Sequence, residues 1–191
     1  MIPPWNMSGV LPAIRPGKEG NDLDRSPYKV SLKHVVERFA LSPERITILK
    51  GLLEYRKQIY AIGINSGFQW LDGSFMEEIE TIESRPPGDL DVVTFFNVPN
   101  NTDEESLIRM NPALFCDNDA IRKQFLIDGY MYTMGSPLDA AHVKMVSYWY
   151  SMWSHRRDGT TWKGFVQVGL SPEEDSIALD TLELLQGGAL S

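Results

Sequence analysis

Two short clusters in this sequence carry residue types that could do chemistry together. Gly73-Ser74 follows the apolar run 68–71, and Asp89-Leu90-Asp91 opens a second apolar run, 90–96. A Gly-Ser turn at a helix start offers unpaired backbone N–H groups and a small hydroxyl at close range, which suits phosphate oxygens. Aspartates at i and i+2 of a strand point to the same face. Asp89 and Asp91 can therefore share one hard cation or bridge two, with Leu90 buried on the other side. An all-oxygen donor set suits Mg²⁺ or Mn²⁺. Taken singly, Gly-Ser is a common turn and Asp-x-Asp after Pro-Gly is often a solvated strand entry. In this order, each behind a strand pattern, the two suit a nucleoside triphosphate with its metal.

The flanking patterns predict what holds them. Residues 68–71, 90–96 and 125–131 read as three neighbouring core strands, with a further strand at 164–169. The turn is expected to open a helix over 75–82 that Arg85-Pro86-Pro87-Gly88 breaks. On it Glu77, Glu78, Glu80 and Glu83 are expected as a solvated acidic face. A helix over 43–62 has Ser42 as cap, Pro43 in its first turn and Gly63 beyond its end. Its stripe of Ile46, Leu49, Leu52, Leu53, Ile59 and Tyr60 is for packing. Residues 138–153 form a nearly all-round apolar helix, expected to be covered on most sides by core or by another subunit. The basic group Arg156, Arg157 and Lys163 either neutralises a triphosphate or belongs to a solvated hairpin. Asp128 interrupts the strand 125–131, and a carboxylate there needs a partner or a metal. Arg122, Lys123 and the backbone at Gly129 are the plain partners.

A chain of 191 residues with a net charge of −8 favours one domain, and the total lends no support to a basic nucleic-acid-binding surface. Cys116 is the only cysteine, so no intramolecular disulfide can form, and a buried thiol is expected. No basic segment precedes an apolar run near residue 1, and no stretch reaches the roughly 18 apolar residues of a membrane span. A cytoplasmic protein without membrane contact is expected. Residues 1–27, rich in proline, read as an extended arm lying on the domain. Residues 171–191 read as an acidic tail with a short helix near 177–185.

The residues Gly73-Ser74 followed by Asp89-Leu90-Asp91-Val92 resemble the signature of the nucleotidyltransferase superfamily, the DNA polymerase β-like fold. The wording around WLDGSF and PGDLDVV is closest to an uncharacterised family of small bacterial nucleotidyltransferase-like proteins. FLIDGY and RRDGTTWKG extend the likeness over about residues 28–170. One departure is the spacer of 14 residues between Ser74 and Asp89, slightly longer than in minimal enzymes. The resemblance implies an α/β (α+β) fold with a small mixed sheet flanked by helices, residues 28–170 forming the domain. It implies Asp128 as a third carboxylate beside Asp89 and Asp91, the three being both metal ligands and catalytic residues, with Gly73 and Ser74 binding the nucleotide phosphates. The implied activity is metal-dependent transfer of an NMP group from an NTP to a hydroxyl on a protein, an RNA or a small molecule. The alternative is an inactive binding or regulatory module of that fold, as in toxin-antitoxin or defence pairs. A partner protein or a homo-oligomer is compatible with both.

Overall fold

In the computed structural model, which describes residues 1–135 and 139–188, the elements run as follows. They are β1 (Tyr28–Val30), α1 (Leu32–Phe39), α2 (Pro43–Ala61), β2 (Gly67–Asp72), α3 (Ile79–Ile82), β3 (Leu90–Asn97) and α4 (Glu104–Met110). Then come α5 (Pro112–Cys116), α6 (Asn118–Phe125), β4 (Ile127–Met134), α7 (Ala140–Trp153), β5 (Val166–Gly169) and α8 (Pro172–Gly188). The strands form one mixed sheet in the order β1-β5-β2-β3-β4. The central pair β2–β3 is antiparallel and β3–β4 is parallel. The three strands expected as neighbours are neighbours, and the class is mixed α/β.

Strand alternation divides the core. Leu71, Leu90, Val92, Phe96 and Ile127 pack against α1, α2, α6 and α8 on one face. Trp70, Val93, Phe95 and Phe165 meet Trp149 and Trp153 of α7 on the other. Helix α2 starts as its sequence demands, with the Ser42 side chain accepting from Arg45 N–H and Pro43 in the first turn. Gly51 lets it approach α6, since a Cβ there would lie 1.8 Å from Phe125 O. Within the chain, helix α7 is covered on one side only, so the core supplies part of the cover expected for it. Val143, Met145, Val146, Tyr148 and Met152 are exposed, while Trp149 and Trp153 on the other side of the helix meet the sheet.

Several other expectations need correction. The strand expected from Phe125 begins at Ile127, because α6 runs through Phe125 and stops on Leu126 in the left-handed region, φ 58°. Residues 75–82 are not one helix. Ser74–Met76 make a single 3-10 turn, Glu77 is extended, and α3 starts only at Ile79. Residues 172–188 are helix rather than tail, with Ala178 and Leu182 fully buried in the main core. Cys116 is exposed, not buried, since it ends a five-residue helix with no buried side chain. Leu138, expected to open the aromatic helix, and residues 189–191 lie outside the described residues.

The N-terminal arm is bound more deeply than a surface strap would be. Val10 and Leu11 are fully buried. Trp5 Nε1 donates to Met76 O at 2.7 Å and Gly9 O accepts from Glu78 N–H at 2.8 Å. Leu11 O accepts from Gly164 N–H at 2.7 Å. The arm thus ties the segment after Gly73-Ser74 to the segment before β5. Among the described residues, no helix is long and apolar enough to cross a membrane.

Candidate active site: a row of carboxylates under a glycine turn

The register of the sheet builds the site. Asp72, the last residue of β2, lies opposite Asp91, and Asp91 lies beside Asp128 in the parallel β3–β4 pair. Residues paired across a sheet share a face, so three carboxylates form a row across β2, β3 and β4 on the α7 side. Asp89 stands two residues before Asp91 and projects to that face as well. The row is at the end of the sheet where β2 finishes and β3 and β4 begin.

Gly73 turns the chain directly over this row. Its φ of +85° favours glycine, and a Cβ there would lie 2.8 Å from Asp91 Oδ2, so only a residue without a side chain fits. The N–H and the hydroxyl of Ser74 make no hydrogen bond among the described residues. No full helix follows, so the dipole argument made from the sequence does not apply. What remains is a tight turn with a free donor and a free hydroxyl. Arg45, fully buried on α2, holds this turn from behind: Nη1 donates to Phe75 O and Nη2 to Glu77 O, both at 2.7 Å.

The four aspartates, Gly73 and Ser74 line a cleft of about 470 Å³ together with Tyr130, Trp149, Trp153 and Arg157. That is the size of a small-ligand site. Its charges are unevenly satisfied. Burial pushes the Asp91 carboxyl up to about 6, and repulsion from Asp89 and Asp128 adds to it. Burial raises Asp128 too, against the pull of Arg122. Burial pushes Asp72 up to about 7 despite the Lys163 ammonium 3.0 Å from its Oδ2, and its Oδ1 has no partner among the described residues. Burial alone would depress Lys163, but Asp72 and Glu77 together outweigh it and hold the ammonium charged.

All five residues named from the sequence, Gly73, Ser74, Asp89, Asp91 and Asp128, therefore line one cleft. Arg122 does not pair with Asp128; it pairs with Asp89. Among the described residues, Asp128 has only Tyr130 OH, at 3.5 Å. The acidic face expected at 77–83 is solvated only in part, with Glu80 and Glu83 exposed and Glu77 drawn inside. Glu77 is 5% exposed between Lys163 and Arg156, Glu80 accepts from Arg45, and Glu83 pairs with Arg85 and Arg156. Of the expected basic group, Lys163 and Arg156 are engaged by these acids. Arg157 is exposed and has no carboxylate partner among the described residues. Asp72 is the residue the sequence reading missed. Its signal was an acid closing an apolar strand, the same anomaly that marks Asp128.

The donor set fits a hard divalent cation on two counts: every candidate ligand is a carboxylate oxygen, and the repulsion that raises Asp91 is what a cation relieves. Among the described residues, no three such side chains already converge on one point. A cation would have to gather them and displace Arg122 from Asp89.

The fold and cleft thus define a mixed α/β domain with an acidic site at one end of its sheet. The chain belongs to a family of unknown function (DUF6932), which it matches over residues 3–169. That span takes in the arm and ends at the last residue of β5. No curated protein and no solved structure matches the chain.

Proposed function

We propose that this protein is a metal-dependent nucleotidyltransferase that moves an NMP group from an NTP to a hydroxyl acceptor. The observation that carries the reading is the gathering of Asp89, Asp91 and Asp128 on one face, beneath a glycine turn with a free N–H and hydroxyl. Asp89, Asp91 and Asp128 would hold Mg²⁺ or Mn²⁺, which when bound supplies positive charge to a triphosphate and acidifies a nearby hydroxyl. Gly73 and Ser74 bind the terminal phosphates. Arg157, at the mouth, meets the negative charge still exposed. Trp149 and Trp153 form the apolar wall and keep water off the reacting end. The acceptor oxygen bonds to the α-phosphorus, the bond to pyrophosphate breaks, and Asp128 takes the hydroxyl proton.

A second reading is an inactive binding or regulatory module of the same fold. The Arg122–Asp89 ion pair favours it, because an arginine seated on a ligand carboxylate supplies charge that a metal would bring. Incubation with each radiolabelled NTP and Mg²⁺ or Mn²⁺, alone and with cell extract, separates the two. A labelled product that disappears in Asp91→Asn supports transfer. Metal-dependent nucleotide binding without any product supports the module.

A further inference from the structure

Lys163 is a charged residue in a nearly closed place, its side chain 5% exposed. A buried ammonium persists only when paired. Here both partners belong to one short loop: Nζ lies 3.0 Å from Asp72 Oδ2 and 3.1 Å from Glu77 Oε1. These two residues flank the Gly73-Ser74-Phe75-Met76 turn, one directly before it and one directly after. Lys163 therefore closes the turn across its open ends, on the side opposite Arg45.

The lysine is itself fixed in place. Its N–H donates to Ser154 O at 2.9 Å, and the next residue donates to Leu11 O of the arm. At Gly164 a Cβ would lie 2.5 Å from Pro12 O, so the backbone there is pressed against the arm. The antiparallel β2–β5 register, with Leu71 opposite Val166, carries the chain before β5 alongside Asp72 and Gly73. A buried pair serving stability alone would satisfy its oxygens, as Asp175 does on Arg56. Among the described residues, the Asp72 carboxylate keeps one oxygen without a partner.

We infer that Lys163 is a positioning residue: it clamps Asp72 to Glu77 and so holds the Gly73-Ser74 turn in the shape that leaves the Ser74 N–H and hydroxyl free to face a phosphate. It touches the turn's two ends and acts through them. The shape-holding half stands on the geometry, and the phosphate half rests on the nucleotide reading above.

The test uses the full chain with Lys163→Met and Lys163→Arg. Hydrogen exchange of the 72–78 backbone without nucleotide reads the clamp, and titration with ATP and Mg²⁺ reads its use. Lys163→Met should speed exchange in 72–78 selectively, leave α2 and α8 protected, and weaken ATP about tenfold, the scale of supporting residues around a site. Lys163→Arg should restore much of both. Unchanged exchange and unchanged affinity in a folded Lys163→Met protein overturn the inference. If Lys163→Met does not fold, Glu77→Gln opens one arm of the clamp while keeping an acceptor, and the same two readouts decide. Faster exchange in a protein whose wild type binds no NTP upholds the clamp and removes the nucleotide reading. Normal exchange with weakened ATP binding overturns the clamp and leaves that reading standing.

Discussion

Helix α2 carries two fully buried arginines on one stripe, and both clusters contrast with the acidic row beside them. Arg56 donates to both oxygens of Asp175 at 2.6 and 2.8 Å, to Gln69 Oε1 at 2.6 Å and to Gly169 O at 2.7 Å. Tyr60 OH closes the set on Asp175. Arg45 is paired as fully, donating to both oxygens of Glu80 at 2.6 and 2.8 Å and to Phe75 O and Glu77 O. The turn it holds, however, lies above the acidic row, where Asp72 keeps an oxygen without a partner among the described residues and Asp91 crowds two other carboxylates. The arginine clusters are complete as they stand; the acidic row is complete only with something positive added. Satisfied buried charge reads as architecture, and unsatisfied buried charge reads as a place for a ligand.

The largest test of this contrast breaks one complete cluster. Arg56→Met leaves Asp175 buried without its partner and should lower unfolding free energy by about 3–5 kcal/mol in a urea titration. Asp91→Asn should act the other way round. It should lower Mn²⁺ affinity at least about a hundredfold in a spin-resonance titration, while thermal stability stays level or rises as repulsion is relieved.

Acidity gives the next test. In the metal-free protein, folding raises Asp91 from 3.8 to about 6 and Asp72 to about 7. The folded chain then binds more protons than the unfolded chain in that window. Stability contributed by these groups is greatest at low pH and falls as pH rises through the folded values. A loss of several kcal/mol between about pH 4 and 7.5 is expected, and saturating Mg²⁺ should remove most of it. Arg56→Met should leave this pH dependence in place, whereas Asp91→Asn should diminish it. The smallest effect is Ser74→Ala, a single lost hydrogen bond worth about 1 kcal/mol, or about fivefold in NTP affinity, without a change in melting temperature.

The contrast also explains what the sequence could reveal. The strands β2, β3 and β4 were legible because each is a bounded apolar run, and Asp91 and Asp128 because each is an acid where such a run wants none. The same signal was present in Asp72 but lay against Gly73, where a turn residue is unremarkable. The buried arginines were legible in principle: Arg45, Leu49, Leu52, Arg56 and Ile59 follow one another at helical spacing, two charges on an apolar stripe. An arginine near a helix end reads as solvated unless its partners are known, and those partners lie on β2, α3 and α8. Lys163 was named only as one of a basic group, and its pairing with Asp72 and Glu77 was illegible for the same reason, since its neighbours follow from the pairing of β5 with β2. The broken helix at 74–82 is a tertiary effect as well, with Glu77 drawn inward by Lys163 and Arg156.

The arm carries a consequence for how the molecule comes together. Leu11 O and Gly164 N–H meet across most of the chain's length, and Gly9 O meets Glu78 N–H. Contacts so distant in sequence form late, after the loop between them has closed. A nascent chain with β2, β3 and β4 already synthesised holds every carboxylate of the row and the arm, yet lacks the lysine that closes the turn and the strand that follows it. The acids are made early and their holder last, so the cleft reaches working shape only when β5 docks, and a chain stopped before β5 would be acidic there without being organised.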